Sequence, residues 1–153
     1  MQITLVILKP SAIQRGILGE VISRFEKKGI QIVGLKMVHL TDKILAEHYA
    51  HLFNKPFYGR IKDSMQASPV VVMALKGVDV VHVVRKLTGV TNGRDAEPGT
   101  IRGDYSMSVQ ENIVHASDSP ETAAVELKRF FSDSEIFDYA SHLTPYFYAN
   151  DER

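Results

Sequence analysis

The chain contains no cysteine among its 153 residues. Disulfide bonds, thiol nucleophiles and cysteine-ligated metal sites are therefore excluded. A long apolar run is also missing, because the N-terminal stretch 3–8 is far too short to span a bilayer and no basic segment precedes it. We therefore expect a soluble, unprocessed chain without membrane contact, and the lack of cysteine fits a cytoplasmic location.

The chain has no excess of either charge, since Lys and Arg total 18 and Asp and Glu total 18. An anionic ligand must therefore be held by a local cluster of charges, and we expect no specific nucleic-acid partner. The common phosphate-binding signatures are absent too. The chain has no G-x-x-x-x-G-K-[ST] loop, no G-x-G-x-x-G and no protein-kinase motif set. If the chain binds nucleotides, it must use a different kind of phosphate-binding site.

Short runs of branched apolar residues predict four strands, at 3–8, 30–40, 70–75 and 113–114. The capping-box spacing of Ser11 and Gln14, followed by apolar residues every four positions, predicts one helix that ends at Gly29. Thr41 and Asp42 are typical of a second helix start, and Pro56 opens a third, short helix. Helix-opening residues of the same kind stand at 119–121, with a cap, a proline and an acid in order.

The secondary structure of two segments is harder to predict. In 79–87 the valines favour a strand, whereas the spacing of Val80, Val84 and Leu87 favours a helix. The segment 88–108 has no clear period, and so long a loop in a compact domain is usually functional.

The order of these elements predicts the fold class. Two βαβ halves form a ferredoxin-like α+β sandwich, with a four-stranded antiparallel sheet. A helical hairpin is inserted between the second and third strands, and the long loop precedes the last strand. The length suits one domain spanning 1–153.

The candidate for chemistry is His115, which follows a short strand and precedes a capped helix. Neutral histidine is a nucleophile near pH 7, provided that an acceptor holds its second nitrogen in the right tautomer. Glu126 lies at the margin of the apolar face of the following helix and is placed for this task. Alone, the pair only suggests catalysis, and an ordinary strand-end histidine with a helix-surface acid is the favoured interpretation of a lone histidine.

The stretch Asn112-x-x-His115-x-Ser117-Asp118-Ser119 resembles the active-site signature of the nucleoside diphosphate kinases. Further motifs that resemble the same family follow in order along nearly the whole chain: Ile7-Leu8-Lys9-Pro10, Arg24-Phe25-Glu26-x-Lys28-Gly29, Glu47-His48-Tyr49, Pro56-Phe57-Tyr58 and Pro98-Gly99-Thr100-Ile101-Arg102-Gly103-Asp104. Chance does not place several independent motifs in one order. The resemblance also implies the ferredoxin-like fold and a helix for 79–87.

The resemblance implies a role for each matching residue. His115 is implied to be the nucleophile, whose Nδ1 takes the γ-phosphate in line, and Glu126 the acceptor that orients it. Lys9 and Tyr49 are implied to stabilise the transferred phosphoryl group, and Ser117 to support the His–Glu pair. The nucleotide-binding residues implied are Lys9, Arg85, Thr91 and Arg102 for the phosphates, Asn112 for the ribose, and Phe57 and Val109 for the base.

A site that grips phosphates and ribose but only stacks the base accepts ATP, GTP, pyrimidine and deoxy nucleotides alike. The family resemblance therefore implies a two-step, ping-pong transfer between nucleoside triphosphates and diphosphates. Mg²⁺ is expected to bind mainly through the nucleotide phosphates, with no metal-ligating side chain. A homo-oligomer is implied, either a tetramer or a hexamer.

The departures from the family pattern are modest. Ala116 stands where glycine is common, Gly93 stands where proline is frequent, and the tail 145–153 differs from the common family tail, which bears on assembly. The alternative is a non-catalytic module that binds nucleotides or resembles an RNA-recognition domain. Such a module is expected to show an aromatic strand motif or to lack His115, Lys9 or a clamp arginine. The sequence therefore favours catalysis.

Overall fold

Four strands and eight helices make up the computed structural model, which describes residues 1–153. The strands are β1 (Gln2–Leu8), β2 (Gln31–Val38), β3 (Val70–Gly77) and β4 (Val114–Ala116). The helices are α1 (Pro10–Gln14), α2 (Leu18–Lys27), α3 (Asp42–His48), α4 (Tyr58–Gln66), α5 (Val80–Thr88), α6 (Ile101–Tyr105), α7 (Pro120–Phe130) and α8 (Thr144–Phe147). None of these helices has the length and apolar character needed to cross a membrane.

The strands form one antiparallel sheet in the order β2-β3-β1-β4, which leaves β2 and β4 at the edges. This order confirms the predicted ferredoxin-like α+β fold. The helices α3 and α4 lie between β2 and β3 in the chain and form the predicted insertion. The helix α5 confirms that 79–87 is helical.

Both faces of the sheet are covered, because alternate residues of β1 are buried in two separate cores. Val6 and Leu8 belong to the first core, and Leu5 and Ile7 to the second. The helices contribute these buried residues to the first core: Ala12, Val21, Phe25, Val80 and Val84. They contribute these to the second: Leu45, Met65 and Phe130. The helices α3 and α7 therefore share one face of the sheet, and this is the face that carries the site.

The first helical segment is two helices, so the prediction of a single helix capped at Ser11 is wrong. Lys9 is the residue before the helix, Pro10 is its first residue, and Ser11 is buried in the first turn. Gly16 ends α1 with φ +67, a left-handed conformation that disfavours residues with a β-carbon. This early helix start leaves Lys9 at the end of β1, where its side chain faces the site.

The segment 88–108 is not entirely loop, since it contains α6. The hydroxyl of Thr100 caps this helix by accepting a 3.0 Å hydrogen bond from the Gly103 amide. A β-carbon at Gly103 would collide with the carbonyl group of Glu97. The helix was missed because its single turn is too short to show a period, although the threonine was a visible cap.

Candidate active site

His115 is the central residue of β4 and pairs with Ile7 of β1. Directly paired residues of antiparallel strands point to the same face of a sheet. The imidazole therefore lies on the face covered by α3 and α7, while Val114 and Ala116 are buried in the opposite core. The His115 side chain is 26% exposed, which leaves one edge of the ring open to a ligand.

Glu126 is delivered to His115 by α7. The start of this helix agrees with the prediction, since the Ser119 hydroxyl accepts from the Thr122 amide at 3.1 Å and Pro120 is the first helical residue. Ala123 and Phe130 bury the same helix face, and Glu126 between them is only 4% exposed. Its Oε2 lies 2.6 Å from Nε2 of His115.

The carboxyl group of Glu126 is held in its charged form. Burial alone would raise its pKa, but the hydrogen bond and electrostatic interaction with His115 bring the pKa below its ordinary value. A carboxylate can only accept, so Nε2 of His115 carries the proton. The Nδ1 lone pair is then free for a ligand, which is the arrangement a nucleophilic imidazole needs.

Lys9 reaches the site from the end of β1. Its Nζ donates to Oδ1 of Asn112 at 2.7 Å and to the Gln110 carbonyl at 3.3 Å. Burial and the positive charge of Arg102 lower the pKa of Lys9 to about 8, although Glu111 opposes this. The ammonium group is therefore mostly charged at neutral pH, but it gives up its proton more readily than an exposed lysine.

Arg102 is nearly buried and is fixed by three backbone carbonyl groups, those of Gly89 (2.9 Å), Asn112 (3.3 Å) and Val114 (2.6 Å). Burial lowers the pKa of Arg102 to about 10, and the charge of Arg85 acts in the same direction. The remaining guanidinium donors stay available for a ligand. Arg85 is held less firmly, by one 3.4 Å bond to the Ala116 carbonyl.

Both polar atoms of the Asn112 side-chain amide also form hydrogen bonds. Its Oδ1 accepts from Lys9, and its Nδ2 donates to the Thr91 carbonyl at 2.9 Å. The side chain is therefore fixed before any nucleotide binds. A contact to ribose, as implied by the sequence, would have to add to these bonds or replace one of them.

A cavity of about 1020 Å³ brings the predicted residues together. Its wall includes His115 and the cationic groups, and it also includes the apolar side chains of Phe57, at the start of α4, and Val109, which is 52% exposed. Burial raises the pKa of Tyr49 to about 12, so its hydroxyl keeps its proton. The predicted site residues that line the cavity are Lys9, Tyr49, Phe57, Arg85, Thr91, Arg102, Val109, Asn112, His115 and Glu126.

Ser117 is the exception, since it is fully buried and does not line the cavity. Its hydroxyl donates to the Leu5 carbonyl at 3.5 Å, while Oε1 of Glu126 is buried without a hydrogen-bond partner. A supporting role behind the His–Glu pair remains a prediction for this residue. Contact with a nucleotide is excluded by its position.

The sequence did not identify His48, the last residue of α3, as a site residue. It is 8% exposed, and its ring lies edge to face against His115 with the centroids 4.6 Å apart. Arg129, on α7, donates to its Nδ1 at 3.0 Å. The family motif at 47–49 was the sequence signal that could have identified His48. No sequence signal pointed to Arg129, because its contact with His48 joins residues far apart in the chain.

His48, His115 and Glu126 each direct a potential metal-ligating atom to one point, and these atoms lie within 4.8 Å of one another. Arg129, however, already uses the Nδ1 lone pair of His48. A metal there would have to displace this guanidinium group and break the 2.6 Å bond between His115 and Glu126. The donor set therefore suits hydrogen bonding better than metal ligation.

Comparison with known proteins agrees with this geometry. The family model described as nucleoside diphosphate kinase matches residues 2–136. A nucleoside diphosphate kinase from Parabacteroides distasonis is 67% identical over 152 residues, which cover 99% of each chain. One from Pyrococcus abyssi is 50% identical over 139 residues, covering 89% of this chain and 87% of its own.

Among solved structures, a halophilic nucleoside diphosphate kinase from Halobacterium salinarum, in complex with CDP, superposes with a TM-score of 0.94. Its sequence is 35% identical, and the match covers 97% of this chain and 99% of that chain. Sequence, family model and fold therefore agree over nearly the full length. This chain belongs to the nucleoside diphosphate kinase family.

Proposed function

We propose that His115 is the phosphate carrier of a nucleoside diphosphate kinase reaction that runs in two steps. The observation that supports this most directly is the 2.6 Å contact between His115 Nε2 and the buried Glu126 carboxylate, at the wall of a cationic cavity. It leaves Nδ1 as the free nitrogen, and the open edge of the ring faces the cavity.

In the first step the Nδ1 lone pair attacks the γ-phosphorus of a nucleoside triphosphate. The bond from that phosphorus to the β,γ-bridging oxygen breaks, and the diphosphate leaves with the electron pair. In the second step an oxygen of the β-phosphate of another diphosphate attacks the phosphohistidine, and the P–N bond breaks. Nε2 keeps its proton throughout, because Glu126 accepts it in every state.

The cationic groups act on the charge of the transferred phosphoryl group. Phosphoryl transfer proceeds through a loose transition state, so catalysis is mostly positioning and electrostatic stabilisation. Lys9 and Arg102 are held in place by protein acceptors before the nucleotide arrives. Such fixed charges need little reorganisation during the reaction. Arg85 and Thr91 complete the phosphate-binding set in this proposal.

Mg²⁺ belongs to the substrate in this proposal, because hard cations take oxygen ligands and the nucleotide phosphates supply them. Apart from Glu126, the carboxylates on the cavity wall are exposed and spread out, which suits contact through water molecules rather than a direct cage. They are Glu47, Asp118 and Glu121. The ion would neutralise phosphate charge, while the chain supplies the groups described above.

Broad base specificity is part of the proposal. Phe57 and Val109 offer only apolar surfaces to a base, and stacking tolerates every base. The solved relative from Halobacterium salinarum is in complex with CDP, a pyrimidine diphosphate. We therefore propose ATP, GTP, pyrimidine nucleotides and their deoxy forms as substrates. A cytoplasmic location stays a prediction, as does a single domain over 1–153.

A homo-oligomer is also proposed. The strand β2 is an edge of the sheet, and its outward residues Leu35 and Met37 are more than half exposed. Exposed apolar side chains on an edge strand favour association with another chain. Sedimentation would separate a tetramer from a hexamer.

The two-step mechanism is tested by labelling. We expect the protein incubated with γ-labelled ATP and Mg²⁺ to acquire a covalent label that is labile in acid and stable in alkali. Addition of any nucleoside diphosphate should remove the label into the triphosphate. His115→Gln should take up none, while His82→Gln, which changes an exposed histidine on α5, should label normally. Labelling of His115→Gln at the wild-type level would disprove the proposal.

The base-binding role of Phe57 is tested by Phe57→Ala. Loss of one stacking surface costs about 1–3 kcal/mol, so KM should rise about 5- to 150-fold for purine and pyrimidine nucleotides alike. Phe53→Ala is the matched control, since this half-exposed ring lies outside the cavity. An unchanged KM for every nucleotide, or a loss confined to one base, would count against stacking as the mode of binding.

A further inference from the structure

His48 is a buried histidine that the proposed mechanism does not use. Its ring packs edge to face against His115, and also against Tyr49 at 4.8 Å and Phe130 at 5.4 Å between centroids. A histidine in contact with the nucleophile can disturb it in two ways. It can take a proton and add a positive charge, or it can donate to the carboxylate on which the nucleophile depends.

Two groups compete for Nδ1 of His48. The guanidinium NH1 of Arg129 lies 3.0 Å away and makes a hydrogen bond. Oε2 of Glu126 lies 3.3 Å away, and this oxygen already has the shorter, 2.6 Å bond to His115. A ring nitrogen has a single in-plane site, so Nδ1 either accepts from Arg129 or donates to Glu126, but not both.

The two outcomes have opposite effects on His115. If Nδ1 of His48 carried a proton, that proton would be shared with Oε2 of Glu126, and His115 would hold a weakened acceptor. If Nδ1 keeps its lone pair for Arg129, the carboxylate serves His115 alone. Arg129 enforces the second outcome because a guanidinium group only donates and stays charged at every physiological pH.

We propose that Arg129 is a positioning residue, which holds His48 as the neutral Nε2–H tautomer and thereby reserves the Glu126 carboxylate for His115. The proposal rests on the function of His115 proposed above. In this proposal two residues of α7, Glu126 and Arg129, lie about one turn apart and act together on His115. Glu126 orients the nucleophile, and Arg129 keeps the neighbouring imidazole from interfering.

The electrostatic surroundings of His48 agree with a neutral ring. Burial lowers its pKa to about 3, and His115, when it is protonated, acts in the same direction, as do the positive charges of Arg129 and Lys9. Glu126 alone opposes them. These groups reach His48 from β4, α7 and the end of β1, so each element that brings a charge to this ring is included. Burial, the largest of these causes, persists when Arg129 is removed, so the ring stays neutral and only its tautomer is free to change.

The first test is the ¹⁵N spectrum of the histidines in the nucleotide-free protein. In the wild type Nδ1 of His48 should resonate as an unprotonated nitrogen, and Nε2 as a protonated one. In Arg129→Met, which retains an unbranched apolar side chain, we expect Nδ1 to become protonated. Arg129→Lys keeps a donor-only charge and should restore the wild-type tautomer. Lys128→Met removes the adjacent, exposed charge and should change nothing.

Kinetics provide the second readout. In Arg129→Met the rate of His115 phosphorylation by ATP should fall about tenfold, in the range that the loss of a group orienting a functional histidine costs, with KM for the nucleotide unchanged. The acid limb of the pH–rate profile should stay where it is, because burial still holds the pKa of His48 below the assay range in this variant. Arg129→Lys should recover most of the rate.

The outcomes are separable. A protonated Nδ1 of His48 in the wild type would overturn the proposal even if no variant folds, and this measurement requires no phosphotransfer. A wild-type tautomer and rate in Arg129→Met would overturn it as well, as would a changed tautomer with an unchanged rate. Failure of the labelling experiment with the wild type would instead disprove the role of His115 and leave the tautomer result standing.

Discussion

His115→Gln is expected to lose nucleotide phosphotransfer almost completely, by about 10⁴-fold or more, as is usual when a covalent nucleophile is removed. A glutamine side chain fills similar space and can still accept or donate a hydrogen bond. It offers no basic lone pair that can hold a phosphoryl group between the two substrates. The two-step mechanism is then impossible, so both phosphorylation of the protein and transfer to the diphosphate are lost.

The measurement is steady-state turnover with ATP and a pyrimidine diphosphate, together with single-turnover phosphorylation by ATP. Nucleotide affinity should change little, because the phosphate-binding groups Lys9 and Arg102 do not depend on contacts with His115. His82→Gln is the control for loss of a histidine elsewhere. Residual turnover within tenfold of the wild type would mean that the phosphoryl group passes directly between nucleotides.

Glu126→Gln is expected to reduce the phosphorylation rate by about 10²–10⁴-fold, which is the scale of a wrong tautomer at a catalytic histidine. The amide is the same size, but it can turn either its oxygen or its donor group toward Nε2. When it donates, the proton of His115 moves to Nδ1, and the nucleophilic lone pair is lost. The Glu126 carboxylate has no donor group, so it can only accept the Nε2 proton of His115.

The comparison should be made across pH, with protein stability followed in parallel by denaturant unfolding. Asp133→Asn, at an exposed carboxylate just beyond α7, is the matched control and should retain full activity. Loss should fall on kcat rather than KM. Full activity in Glu126→Gln at every pH would show that the orientation of His115 does not depend on this carboxylate.

Several elements follow from local pattern alone. The start of α7 is one case, because Ser119 and Pro120 act within a single turn and need no distant partner. The burial of β1 is another, since Thr4 alone interrupts its apolar run 3–8, and Thr4 is buried with its neighbours. The break between α1 and α2 escaped prediction. The apolar period continues through Gly16, and only the positive φ of that glycine in the folded chain ends the helix.

The site was predicted residue by residue from the family motifs, yet its working geometry is tertiary. His115 and Glu126 are eleven positions apart and meet because α7 packs back on the same face of the sheet as His115. The contact between His48 and Arg129 spans 81 positions and has no local signature.

The sequence by itself determined the family and the order of the four strands, and it predicted the reacting side chains, because composition, caps and motifs act over short distances. Only the tertiary structure decided which nitrogen of His115 is free and which partner holds His48. Both depend on the direction of a hydrogen bond. That direction is set by strand order and by the rotation of α7 about its axis, which no local stretch of the chain encodes.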